Sequence, residues 1–227
     1  MVASEISRMI DVSCVQANST LDEIGQSVAL AKRFPVAAVF VLPAHVPYAI
    51  DLVAGANIVI GATAGFPSGS ASTATKVHEV AQQRKLGCRE FDMVNNITWL
   101  KAGRDDLYRQ DIAAVVAEAQ GMPVKVILEC HHLSEAEIVR ACNLIVEAGA
   151  AFAKTATGWA STGATLENIK LIKQTVGDRC GVKAAGGVRG IETILAMHRL
   201  GATRFGISVK AARSILEGLT TSTGSEY

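Results

Sequence analysis

The chain has 227 residues, 49% of them hydrophobic and 19% charged, with a formal net charge of +1. This is the composition of a globular domain with enough chain for one substantial core. The near-zero charge excludes a dedicated nucleic-acid surface, no apolar run reaches membrane-spanning length, and the N-terminal stretch MVASEISRMID carries no signal-peptide core.

The first predicted strand is RMIDVS, residues 8–13. TLDEIGQSVALAKRF (20–34) follows as a helix, opened by Thr20 as cap with acids in its first turn. Four more strands are predicted at VAAVFVL (36–42), NIVIGAT (57–63), EFDMVN (90–95) and VKVILEC (124–130). SEAEIVRACNLIVEAG (134–149) reads as a helix with Ser134 as cap, Glu137 three residues on and Gly149 as stop. Strands AFAKTAT (151–157), GVKAAG (181–186) and TRFGIS (203–208) then alternate with helices at 165–177, 191–201 and 210–219. The strands are short, apolar and bounded by Gly, Pro, Asn or Ser, as buried parallel strands are. Eight strand–helix pairs predict an α/β fold, a single (β/α)8 barrel over 1–219, with TTSTGSEY (220–227) as a loose C-terminal tail. The rival is an open doubly wound sheet, which usually carries a GxGxxG after its first strand; here CVQANST stands in that place, without a glycine.

In such a barrel, chemistry sits at the C-terminal ends of the strands. Lys154 and Lys183 lie in the sixth and seventh strands, close to the loops TGWAS and GGVRG. Strand residues alternate faces, so Lys154 shares a face with Phe152, and Lys183 with Gly181 and Ala185. If both faces are interior, two ammonium groups converge. A free lysine titrates near 10.4, and bringing it to ~7 takes about three units, or ~4 kcal/mol. Burial and a neighbouring cation together can supply that, which leaves an amine able to form a Schiff base with a carbonyl. Asp92, between Phe91 and Met93, is the candidate proton relay. AAGGVRG and RFGISVKAA, after the seventh and eighth strands, read as phosphate loops, because glycines let backbone N–H groups approach an anion at a helix N-terminus. ECHH, residues 129–132, reads as polar loop and not as a metal site, since adjacent histidines fit one tetrahedral ion poorly. The five cysteines, Cys14, Cys88, Cys130, Cys142 and Cys180, are odd in number and lack CxxC spacing, which predicts reduced thiols in a cytoplasmic protein.

AFAKTATG, GVKAAGGVR, EFDMVNNITWLKAG, VIGATAGFPSGSASTATKVHE and KVILEC resemble the deoxyribose-phosphate aldolase family, in order along nearly the whole chain. The resemblance implies a class I aldolase without metal or cofactor. It would cleave 2-deoxy-D-ribose 5-phosphate reversibly to glyceraldehyde 3-phosphate and acetaldehyde. Lys154 would be the Schiff-base lysine, Lys183 the group that lowers its pKa, and Asp92 part of the proton relay. Gly158, Gly186, Gly187, Gly206 and Ser208 fall on phosphate-binding positions, and Asp11 is placed with the substrate-binding residues. Some members end in a tail whose terminal tyrosine reaches the active site, a role that would fall to Tyr227.

Three positions depart from the family pattern. The early DHTLLK is DVSCVQ here, Phe40 replaces a cysteine of the second strand, and Val209 replaces the second of two serines, which implies one phosphate donor fewer. The alternatives are a paralogous Schiff-base aldolase for another phosphorylated sugar, and a non-catalytic sugar-phosphate-binding barrel. The expected partners are a small sugar phosphate and an aldehyde, without nucleic acid or membrane. The sequence leaves homodimer and homotetramer open.

Overall fold

A computed structural model describes residues 3–222. Eight parallel strands close into one barrel in sequence order: β1 (Ile10–Cys14), β2 (Ala38–Val41), β3 (Ile60–Ala64), β4 (Glu90–Val94), β5 (Val124–Ile127), β6 (Phe152–Lys154), β7 (Gly181–Ala185) and β8 (Arg204–Ser208). The helices are α1 (Ala3–Ser7), α2 (Leu21–Arg33), α3 (Val46–Leu52), α4 (Thr73–Leu86), α5 (Ile97–Lys101), α6 (Asp105–Glu118), α7 (Glu135–Glu147), α8 (Leu166–Val176), α9 (Ile191–Arg199) and α10 (Val209–Ser222). The predicted tail begins inside α10, which runs to Ser222; the rest of it, with Tyr227, lies outside the described residues. Among the described residues no helix is long and apolar enough to cross a membrane.

The predicted caps form. Thr20 and Glu23 make a reciprocal capping box at α2, as Ser134 and Glu137 do at α7, and Thr165 accepts from the Asn168 amide at α8. Each such cap is worth ~1 kcal/mol and fixes where its helix leaves the loop.

The core lies between strands and helices. Outward residues such as Ile10, Val12, Val39, Phe91, Met93, Val126, Val182 and Phe205 are buried against the helices. α4 and α6 have no counterpart among the predicted elements, because part of their buried face is polar. α4 buries Lys76, Val80 and Gln83, and α6 buries Tyr108, Asp111, Ile112 and Val115. Lys76 Nζ reaches Asp111 Oδ2 at 2.6 Å and the Val94 carbonyl at 3.0 Å, so this ion pair ties both helices to β4. β5 ends at Ile127, three residues short of its predicted end, because Glu129 turns the chain through a left-handed backbone (φ 53).

Candidate active site

On six of the eight strands the inward face carries charged residues, in alternation with outward apolar ones. Asp11 comes from β1, Glu90 and Asp92 from β4, Lys125 from β5, Lys154 from β6, Lys183 from β7 and Arg204 from β8. They form one connected cluster. Asp92 Oδ2 accepts from Lys154 Nζ at 2.7 Å and from Lys183 Nζ at 2.6 Å. Lys183 also meets Asp11 Oδ2 at 2.7 Å, and Arg204 donates to Asp11 at 2.7 Å and to Glu90 at 2.6 Å. Lys125 meets Glu90 at 2.6 Å and Asp92 Oδ1 at 3.4 Å. The Phe40 ring packs against two of these cations, 4.3 Å from Lys125 Nζ and 4.2 Å from Lys183 Nζ, and fits only because Gly61 carries no Cβ to meet it.

Four cations against three carboxylates leave one positive charge in excess inside a nearly dry barrel. Burying an uncompensated charge is costly, so the proton held most weakly is loosened. That proton is on Lys154. Burial lowers its pKa first; Asp92 pulls it back up, Lys183 pushes it down again, and it comes to rest at about 8. This is less than the shift to ~7 reasoned from the sequence, because Asp92 favours the charged amine. For Lys183 the balance reverses: burial lowers its pKa, but Asp11 and Asp92 outweigh burial and hold it above the ordinary lysine value. Burial would likewise raise the Asp92 carboxyl, yet Lys154, Lys183 and Lys125 together hold it well below the usual carboxylate range. The geometry therefore ranks two lysines that strand pattern alone left equivalent.

Lys154 is also the lysine of this cluster that reaches the open. It lines a cleft of about 210 Å³ at the C-terminal end of the barrel, with Ser13, Thr157, Gly158, Arg189 and Ser208. Gly186, Gly187 and Gly206 line the same cleft, so the predicted phosphate-loop residues converge beside the amine. Gly186 has φ 82, and a Cβ there would stand 2.9 Å from the Gly163 Cα, so only glycine fits without strain. Gly206 is small for a different reason: a Cβ would crowd Ala185 at 3.1 Å and the Lys183 stem at 3.4 Å. α9 and α10 begin directly after these loops, which turns two helix N-termini to an anion in the cleft.

One sequence expectation is corrected. Asp11 does not line the cleft; it is wholly buried beneath it, where it holds Lys183 and Arg204 in place. Val209, the first residue of α10, packs its side chain into the apolar core and is not among the residues that line this cleft. Of the ECHH run, Cys130 is buried and His131 Nδ1 hydrogen-bonds the Thr162 hydroxyl at 2.7 Å. Among the described residues no three His, Cys, Asp or Glu side chains gather as a metal site would require.

Several residues of the site were missed in the sequence: Lys125, Glu90 and Arg204 in the cluster, Glu129 at the mouth, and Trp159 across it. Trp159 Nε1 donates to the Val15 carbonyl at 2.8 Å, its ring meets Phe66 edge-on, and Gln16 reaches the Gly158 carbonyl at 3.3 Å. These contacts tie the β6 loop over the barrel mouth to the β1 loop. The alternation of charged and apolar residues in EFDMV, VKVI and RFGIS was the available signal for the cluster.

Known proteins resemble the chain along nearly its whole length. Residues 18–211 match the family described as DeoC/LacD family aldolase. The chain is 44% identical over 216 residues to a deoxyribose-phosphate aldolase of Staphylococcus epidermidis, covering 95% of this chain and 97% of that protein. It is 42% identical over 232 residues to the deoxyribose-phosphate aldolase of Carboxydothermus hydrogenoformans, covering the whole of both. The solved structure of QR15, an aldolase, superposes with a TM-score of 0.91 at 33% identity, over 98% of this chain and 99% of that one.

Proposed function

The chain belongs to the DeoC/LacD family of aldolases, and on that premise we propose that it cleaves 2-deoxy-D-ribose 5-phosphate reversibly to D-glyceraldehyde 3-phosphate and acetaldehyde through a Schiff base on Lys154. Neutral Lys154 Nζ adds to the C1 aldehyde, and loss of water gives the iminium. The C3 hydroxyl then gives up its proton as the C2–C3 bond breaks. The bond's electron pair moves into the iminium, glyceraldehyde 3-phosphate leaves, and an enamine remains. Protonation of that enamine at C2 and hydrolysis release acetaldehyde and return the free amine.

Asp92, held ionised 2.7 Å from Lys154 Nζ, is the proton acceptor of this sequence, working through water to reach the C3 hydroxyl. Lys183 remains a cation throughout and opposes protonation of Lys154. The Gly186–Gly187 turn, Gly206, Ser208 and the first turns of α9 and α10 receive the phosphate, and Gly158 closes the other side of the cleft.

The observation that carries this reading is the single cleft-facing lysine of the cluster, tuned to about 8 by burial against a second, permanently charged lysine. A binding-only barrel has no use for a buried nucleophile of that kind. Borohydride reduction in the presence of acetaldehyde tests it: one two-carbon adduct is expected, mapped by peptide mass spectrometry to Lys154. An adduct on Lys183 or Lys170 refutes the assignment. Turnover of 2-deoxyribose 5-phosphate beside free 2-deoxyribose tests the substrate.

A further inference from the structure

We propose that Glu129 is a positioning residue for the sugar: it commits the Thr157 hydroxyl as a hydrogen-bond acceptor in the cleft, so that the site selects a substrate hydroxyl at that point. The proposal rests on the aldolase reading above.

Thr157 lines the cleft together with Lys154. Its hydroxyl has one hydrogen to donate and two lone pairs. The hydrogen goes to Glu129 Oε2, which also accepts the Thr157 backbone N–H at 3.2 Å. One lone pair is taken by the Trp159 backbone N–H at 3.0 Å. What remains is one lone pair. A group meeting it must bring a hydrogen, as a sugar hydroxyl does and a carbonyl or ionised phosphate oxygen does not.

Glu129 is placed for this at some expense to the fold. Its backbone is left-handed at φ 53 and ψ 64, a region that glutamate seldom adopts. The side chain is buried, and Oε1 has no hydrogen-bond partner among the described residues. A group selected for stability alone would satisfy both oxygens. The same residue ends β5 after Ile127, and the Cys130 amide just beyond it binds the Thr155 carbonyl at 3.0 Å, so the β5 and β6 ends are registered where Thr157 turns into the cleft.

A double-mutant cycle tests the proposal, read by kcat and KM for 2-deoxyribose 5-phosphate and by borohydride trapping of acetaldehyde. Glu129→Ala is expected to raise KM about tenfold, with acetaldehyde imine yield held within about twofold, because acetaldehyde has no hydroxyl to place. Glu129→Gln keeps an acceptor oxygen without the charge, and a rise of about threefold is expected. Thr157→Val should lose as much as Glu129→Ala, and the double variant no more than either alone. Losses that multiply, or imine yield that falls in step with sugar cleavage, overturn the proposal. If Glu129→Ala does not fold, Glu129→Gln completes the cycle: a KM rise that vanishes in the Thr157→Val background supports the proposal, and one that persists overturns it. A wild-type chain that gives no trappable imine refutes the aldolase reading itself, whatever the cycle shows.

Discussion

Lys183→Met removes one charge from the barrel interior while nearly keeping its volume. Three cations then face three carboxylates, and no excess charge remains to expel a proton. The lost repulsion follows from the geometry. Both ammonium nitrogens bind the same Asp92 oxygen, at 2.7 and 2.6 Å, which puts them no more than about 5 Å apart. At an effective dielectric constant of about 20, like charges at that distance repel by about 3 kcal/mol, or about two pKa units. Asp92 Oδ2 would also serve Lys154 alone. Lys154 is therefore expected to return from about 8 to near the ordinary lysine value. At pH 7.5 the neutral fraction would fall from about a quarter to about a thousandth, a loss of ~200-fold in imine formation. The assay is the pH dependence of kcat/KM, read by coupled detection of glyceraldehyde 3-phosphate, beside borohydride trapping with acetaldehyde. The activity should recover as pH rises toward 10. Asp11 keeps Arg204 at 2.7 Å, so the fold should persist. A low activity with an unchanged pH profile would refute the electrostatic argument.

In the wild-type chain, kcat/KM should climb with unit slope up to about pH 8 and then level, since the neutral amine is the reactive form. Asp92→Asn should shift that rise to lower pH, because Asp92 holds the proton on Lys154; imine should still be trapped while turnover collapses for want of a proton acceptor, and a shift to higher pH would contradict this. Gly186→Ala should raise KM at least ~10-fold for the phosphorylated sugar and leave free 2-deoxyribose unaffected, because the strain at φ 82 falls on the phosphate turn. Asp111→Ala strands the buried Lys76 ammonium and should cost ~3–5 kcal/mol, seen as a Tm lower by roughly 10 °C, with KM unchanged in the surviving enzyme. Exhaustive chelation should leave turnover intact, because the iminium is the electron sink that a Lewis acid would otherwise supply.

Local chemistry was legible in the residues themselves. Short apolar runs with turn residues at their ends marked all eight strands, and the Ser or Thr caps marked α2, α7 and α8, because these signals depend on neighbours only a few residues away. The same reading placed Lys154, Lys183 and Asp92 on interior faces, where the closed barrel has them in mutual contact. α4 and α6 escaped it, since Lys76 and Asp111 satisfy each other across helices that are far apart in sequence, and each alone looks like a solvent-facing charge. Asp11, placed with the substrate-binding residues by resemblance, sits in a deeper layer: strand alternation says which face a residue takes, while barrel stagger decides its height. Asp11 lies opposite Gly206 in the register and beneath the cleft that Gly206 lines. The strand pattern by itself could say that two lysines share the barrel interior. Which of them loses its proton is decided by how many carboxylates each one touches, two for Lys183 and one shared oxygen for Lys154, and that count exists only once β1, β4, β6 and β7 have closed around a common axis.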